Sequence, residues 1–306
     1  MNKRTSIHDI LLVTALAMAT GMAASGAAFA QDALYANPAK QFHAMGKLKA
    51  PSERTAYLPV TQVKWMLHGT GSASTGGGLG PGTKMIQEVN SSIDAARIGK
   101  IAQALHDDLV AQLESAGWNV QTRGELGEDV PKYRALAPDG ELGVPRIKER
   151  SGEEYVLISP VGMPSVAHSG MALASASMAA NSYARGKPGV SLFVTYGFST
   201  AAIRETESRM LNMETKPVLT LFGSFAANTA ASSTVVVSDG VAVANDIGTL
   251  SLTEETGVGA KVFRYMTGMR QIDKKVYALE PDWDKLETEA FRAGKAFNAQ
   301  IVAQLR

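Results

Sequence analysis

The chain has 306 residues, of which 45% are hydrophobic and 19% are charged, so it can bury one large core or two small ones. It contains no cysteine, which excludes disulfides, thiolate nucleophiles, cysteine metal sites and lipid attachment at a lipobox cysteine. Its 30 basic and 29 acidic residues nearly cancel. This balance argues against nucleic acid as a partner, because phosphate binding requires clustered positive charge.

The N-terminal residues 1–30 have the pattern of a secretory signal peptide. Lys3 and Arg4 precede an apolar run over residues 10–24, and Ala28-Phe-Ala30 places small residues at the two positions that a signal peptidase reads. We therefore predict cleavage after residue 30 and an exported protein, located in the periplasm or at the periphery of the outer membrane. An uncleaved membrane anchor is the alternative, because the run is nearly long enough to span a bilayer. We predict no transmembrane helix in the mature chain.

After the signal peptide, the sequence predicts an arm followed by one domain. Residues 31–59 contain three prolines and no sustained period, which predicts an extended N-terminal arm. Residues 60–306 contain no internal repeat and no clear break in composition, which predicts a single mixed α/β domain. Val63, Trp65 and Leu67 alternate along the chain and predict its first strand.

Residues 69–82 contain seven glycines and no apolar period, which predicts a loop. A glycine-rich loop between a strand and a helix can hold a phosphate on its backbone N–H groups. The spacing matches no established fingerprint, because Ser74 stands where the dinucleotide motif needs glycine and no Gly-Lys-Ser/Thr ending follows. A flexible exposed loop without a ligand is the alternative. The candidate ligand-binding residues are His68, Gly69, Gly71, Ser72 and Ser74.

Two stretches, at about residues 92–116 and 283–305, have the apolar period of an amphipathic helix. Their apolar side chains recur at three- and four-residue steps, and polar side chains occupy the opposite side. Ser91 or Ser92 can cap the first helix, and Asp94 lies where a carboxylate favours a helix N-terminus. The first stripe comprises Ile98, Ile101, Ala102, Leu105, Leu109, Leu113 and Ala116, and the second comprises Leu286, Ala290, Ala293, Phe297, Ile301 and Leu305.

The second half of the chain is rich in strand patterns. A hairpin is predicted across Val235–Val243, because Asp239-Gly240 fits a two-residue type I′ turn between β-branched residues. The segment 166–185, rich in Ala, Ser and Met, is compatible with a helix, a loop or a membrane-contacting hairpin. The fold class expected from these elements is α/β (α+β), a mixed β-sheet covered by the two helices. Further strands are predicted at 118–122, 155–158, 190–198, 218–225 and 249–252.

The segment from Ile98 to Leu126 carries a more extended pattern. A helix that includes Ile-Ala-Gln-Ala-Leu ends in Leu113-Glu-Ser-Ala-Gly117, and a strand and Arg123-Gly-Glu-Leu126 follow. This segment resembles the α/β domain shared by curli-type secretion channel lipoproteins and the N-terminal domain of the Tol–Pal translocation protein. The resemblance implies two helices packed on a mixed sheet and a location in the cell envelope. It implies no functional residue, and the chain lacks the cysteine at which the secretion lipoproteins are lipidated.

The mature sequence contains no motif that indicates catalysis or metal binding. Neither Gly-x-Ser-x-Gly nor Ser-x-x-Lys occurs, and the histidines at 43, 68, 106 and 168 do not have metal-ligand spacing. His106 lies near the polar edge of the first predicted helix, where we expect its side chain to be solvated. We therefore predict no catalytic residue, no metal and no cofactor.

These patterns favour an exported cell-envelope protein with a non-catalytic binding or assembly role. Its partner would be an envelope protein or a small ligand. One alternative is a periplasmic hydrolase or small-ligand-binding protein that uses the glycine-rich loop 69–82 and His68. Another is a subunit of an oligomeric outer-membrane assembly, which would use the Val218–Leu252 strands as an interaction edge.

Overall fold

The computed structural model describes residues 34–35, 38–74, 83–127, 135–166, 180–207, 212–257, 264, 266 and 271–305. The predicted signal peptide and residues 167–179 lie outside these ranges, while residues 180–185 are helical. The described residues form a strand-rich, mixed α/β structure, which confirms the predicted fold class at that level. Four bounded helices are α1 Pro38–Gln41, α2 Ala95–Ser115, α3 Arg123–Leu126 and α4 Trp283–Gln304. The strands are β1 Phe42–Gly46, β2 Thr55–Ser74, β3 Thr83–Ser91, β4 Asn119–Thr122, β5 Arg146–Lys148, β6 Glu154–Ile158, β7 Val190–Glu207, β8 Asn212–Asn228, β9 Ser233–Ser238, β10 Val241–Asn245, β11 Gly248–Glu255 and β12 Gln271–Pro281.

All twelve strands belong to one sheet, whose main path runs β1-β9-β8-β7-β2-β3-β12-β11. β2 lies inside the sheet, because it has partner strands along both edges. Along one edge it pairs parallel with β7. Along its other edge, β2 pairs in succession with parallel β4, antiparallel β6 and antiparallel β3. Residues 55–63 of β2 are all buried, as expected for a strand covered on both faces.

The helices α2 and α4 pack against each other and run in the same direction. Arg97 Nη1 donates to Asp284 Oδ1 over 2.7 Å near both N-termini, and Asn298 Nδ2 donates to the Leu105 carbonyl over 3.0 Å further along. Both apolar stripes are buried in one cluster with side chains of β2, β7 and β8. Gly294 allows this close approach, because a Cβ there would lie 2.3 Å from Leu105 Cδ2.

The first helix begins later than the predicted residue 92. Ser91 is the last residue of β3, and the backbone N–H of Ser92 donates to the Leu279 carbonyl of β12. The cap is therefore Asp94, whose side chain accepts from the Arg97 N–H over 3.0 Å. Strand pairing thus occupies the serines that the sequence offered as caps.

Phe297 of α4 lies at the centre of the core. Its ring centroid is 5.9 Å from that of Phe42, 5.7 Å from Tyr196 and 6.5 Å from Phe225. Next to it, the Tyr196 hydroxyl donates to Asn298 Oδ1 over 2.5 Å, and both side chains are fully buried. Burial raises the pKa of Tyr196, so its hydroxyl keeps the proton that it donates.

The predicted hairpin over Val235–Val243 is wrong. β9 and β10 do not pair with each other, since both pair antiparallel with β8, at its end and at its middle respectively. Gly240 lacks the positive φ that a type I′ turn requires. The 17-residue strand β8 is long enough to accept both segments in a row.

Part of the segment 31–59, expected to be an extended arm, is folded onto the sheet. It contains α1, β1 and the beginning of β2, and β1 pairs antiparallel with β9. The Tyr35 ring lies 4.9 Å from the Phe42 ring, and both side chains are buried. The apolar residues of this segment therefore contribute to the main core.

Candidate functional site

All five predicted ligand-binding residues lie in the last seven residues of β2. They pair in register with β3, from His68 opposite Asn90 to Ser74 opposite Lys84. The predicted loop is therefore wrong for residues 69–74, and residues 75–82 lie outside the described ranges. The element that follows is strand β3, so the expected strand–loop–helix arrangement for holding a phosphate is also wrong.

The glycines of this stretch allow two layers of strands to approach closely. A Cβ at Gly71 would lie 2.6 Å from Ile203 Cγ2 of β7 and 3.4 Å from Met213 Cε of β8. Across the same contact, Gln87 Nε2 donates to the Met213 carbonyl over 2.9 Å, and Gln87 Oε1 accepts from the Thr215 hydroxyl. The end of the β2–β3 pair is thus packed on the end of the β7–β8 pair, and Gly71 has a packing role.

Of the five predicted residues, His68 lines a cleft, an open depression of about 560 Å³. His68 Nδ1 lies 2.8 Å from Asn90 Oδ1. Glu154, the register partner of His68 on β6, is 9% exposed and accepts hydrogen bonds from Lys148, over 2.8 Å, and from Arg146. These hydrogen bonds lower the pKa of the Glu154 carboxyl despite its burial. The cleft offers a histidine and an amide to a ligand, while Lys148 and Arg146 of its lining are already hydrogen-bonded to Glu154.

The other described histidines have structural partners. His106 is 6% exposed, contrary to the expectation of a solvated side chain, and its Nδ1 lies 3.1 Å from Thr61 Oγ1 of β2. Burial lowers the pKa of His106. His43 Nε2 lies 2.9 Å from Asp239 Oδ1 on the surface, and His168 is outside the described ranges. Within the described part of the chain, no three His, Asp or Glu side chains converge as a metal site.

The most exposed functional candidate is β11, one of the two end strands of the sheet. It pairs with β12 along one edge, and no described strand pairs with its other edge. Residues 251–255 are consecutively exposed, and the Leu252 side chain is 50% exposed. Eight residues of extended backbone present an edge roughly 27 Å long. We call the edge of Gly248–Glu255 that faces away from β12 the β11 edge.

The predicted interaction edge, Val218–Leu252, overlaps the β11 edge only at its end. β8 lies inside the sheet, because β7 pairs along one side of it and β9 and β10 pair along the other. Sequence reasoning also missed Thr253–Glu255, which complete the exposed strand. The alternation of Leu250 and Leu252 with polar residues, followed by two glutamates, is the local signal that could have marked it.

Among the helices of the described residues, none combines the length and the apolarity needed to cross a membrane. Comparison with protein-family models, with curated proteins and with solved structures finds no match for this chain.

Proposed function

We propose that this chain is an exported cell-envelope protein with a non-catalytic binding or assembly role, and that it binds its partner through the β11 edge. The observation that carries the proposal is the eight-residue end strand whose second edge is unpaired among the described strands. An extended strand of a partner protein could pair with β11 and form hydrogen bonds with the backbone groups along this edge.

The composition of β11 supports strand addition. It contains no proline and no lysine, the residues that most often block an edge, and Leu252 offers an exposed apolar contact. The bulge between Leu252 and Glu254 and the two glutamates at the end restrict pairing there. A partner strand would therefore pair with Gly248–Leu252 and carry positive charge near Glu254 and Glu255.

We also propose that α2 and α4 together cover one face of the sheet, as predicted for residues of about 92–116 and 283–305. Their shared core with β2, β7 and β8 supports this arrangement. Arg97 adds a link between the helix starts, since it lies 2.7 Å from Asp284 and 3.5 Å from Glu287. A sheet held in this way is a rigid support for its own edge strand.

The proposal is tested with the protein purified from the cell envelope after expression of the full chain. In Leu252→Lys, a charge on the edge strand should abolish capture of envelope partners at unchanged melting temperature. Val161→Lys is the matched control, because Val161 is 95% exposed in a turn outside β11. Equal capture by both variants and by the wild type would contradict the role of the β11 edge. Mass measurement of the purified N-terminus tests the predicted cleavage after residue 30.

The cleft beside His68 supports a second candidate function, the binding of a small polar ligand. His68 and Asn90 both line it, and their side chains can donate and accept hydrogen bonds. A screen of polar metabolites by nuclear magnetic resonance would detect such a ligand. Binding that survives in both His68→Ala and Asn90→Ala would exclude this cleft as the site.

A further inference from the structure

The two end strands of the sheet, β1 and β11, lie at opposite ends of its path. β1 pairs with β9 along one edge, and no described strand pairs with its other edge. We call this unpaired edge of Phe42–Gly46 the β1 edge. The β11 edge of one molecule can pair with the β1 edge or with the β11 edge of another molecule.

The β1 edge is firmly held, which allows it to act as a template for another strand. Phe42 is buried against Tyr35 and Phe297. On the β9 side, the Thr234 hydroxyl donates to the Met45 carbonyl over 3.3 Å. Only 8% of the Phe42 side-chain surface is exposed, so detaching β1 would uncover part of the main core. An anchored strand loses little conformational freedom when a second strand pairs with it.

The charges of the two edges are opposite. Three exposed lysines flank the β1 edge, at positions 40, 47 and 49, together with exposed His43, which is paired with Asp239. The β11 edge ends in Glu254 and Glu255, both exposed, with Glu255 3.7 Å from Lys275. Opposite charges on adjacent strands attract and like charges repel. The charge pattern therefore favours contact between unlike edges.

We propose that the partner of the β11 edge is the β1 edge of a second copy of this chain, so that the sheet continues from one molecule to the next. This inference rests on the proposed function of the β11 edge. The contact is heterologous, because each molecule uses a different surface on its two sides, and repetition gives a closed ring or an open chain. β1 has five residues, so each contact forms few backbone hydrogen bonds and association depends on protein concentration.

The absence of cysteine from the chain allows a direct test by site-specific cross-linking. Ser251→Cys and Ala44→Cys each place one thiol on an exposed position of an end strand. We expect a short bis-maleimide to join the two variants when they are mixed, and to join neither variant to itself. Cross-linking of Ser251→Cys alone would show that two β11 edges meet and would overturn the proposal. Failure to cross-link the mixture, together with a monomeric mass at high concentration, would also overturn it.

Charge reversal tests the complementarity of the edges. The double variant Glu254→Lys/Glu255→Lys and the double variant Lys47→Glu/Lys49→Glu should each self-associate about tenfold more weakly than the wild type. Mixing them should restore association in which the two variants alternate, because the two reversed edges are complementary to each other and so are the two native edges. Both variants should be folded by circular dichroism. If neither mixing the variants nor adding salt restores association, the charge argument is contradicted.

The outcome separates this inference from the proposed function. If the wild type is monomeric and Leu252→Lys no longer captures envelope partners, the β11 edge remains a binding site. The proposal that a second copy is its partner is then overturned. Self-association that is unchanged in Leu252→Lys, together with equal capture of envelope partners by Leu252→Lys and the wild type, overturns both.

Discussion

The two ends of β2 are held in the sheet by opposite means. Over its first eleven residues, large side chains pack in the main core: Leu58 and Trp65 are fully buried, and the Trp65 ring lies 5.8 Å from that of Trp283 of α4. Near its end, Gly71 has no side chain, and Ile203 and Met213 occupy the space where a Cβ would lie. One strand therefore depends on filled volume at one end and on vacated volume at the other. The two regions should therefore respond to opposite kinds of substitution. Shortening a side chain is destabilising in the first, and adding a side chain is destabilising in the second.

The largest expected effect is in the main core around α4. Phe297→Ala removes a fully buried ring that contacts three other aromatic rings, and it should lower the free energy of unfolding by about 3–5 kcal/mol. Urea denaturation measures the change. Phe291→Ala on the same helix is the matched control, because Phe291 is half-buried. Equal losses in the two variants would show that the core is not centred on Phe297.

At the other end of the strand, Gly71→Val should lower the free energy of unfolding by about 1–3 kcal/mol, because its side chain would overlap Ile203. Ser72→Val adds the same side chain at the neighbouring exposed position and should have little effect. Combining Gly71→Val with Ile203→Ala should recover part of the loss, as measured by a double-mutant cycle. Strict additivity of the two substitutions would rule out the packing role of Gly71.

A smaller effect is expected at the beginning of α2. Asp94→Ala removes the side chain that accepts from the Arg97 N–H and should cost about 1 kcal/mol in thermal or urea unfolding. Ser92→Ala serves as the control, since Ser92 precedes the cap and its hydroxyl lies 3.5 Å from the Leu279 carbonyl. A greater loss for Ser92→Ala than for Asp94→Ala would indicate that the helix begins earlier.

The smallest predicted effect is a pH dependence from His106 of α2. Burial lowers the pKa of His106 below its ordinary value of 6.5, so the unfolded chain binds this proton more readily than the folded protein. The contribution of His106 to stability is therefore complete above about pH 6.5 and decreases as the pH falls through that value. His106→Gln should reduce the loss of stability between about pH 7.5 and 5.5.

Local patterns predicted the elements whose periodicity is complete within one segment. The stripes of α2 and α4 and the short buried strand β6 are examples, because each repeats its apolar positions without reference to a distant partner. Asp282 caps α4, with a 3.2 Å hydrogen bond from the Lys285 N–H. The location of His68 beside a cleft does not follow from any such pattern. It depends on Arg146 and Glu154, which lie far along the chain.

The predictions that were wrong concern segments whose structure depends on what pairs with them. Gly69–Ser74 has the composition of a loop, but β3 pairs with it and Ile203 covers Gly71. Asp239-Gly240 has the composition of a hairpin turn, but β8 binds the segments on both sides of it. His106 has a polar neighbourhood in sequence, but Thr61 of β2 lies against it.

The sequence by itself determined the mixed α/β class and the location of the two long helices, because helix periodicity and capping act within a few residues. Only the tertiary structure decided which strands lie inside the sheet and which end it, because strand pairing joins segments far apart in the chain. The β11 edge belongs to this second group, because its lack of a second described neighbour depends on the path of the whole sheet.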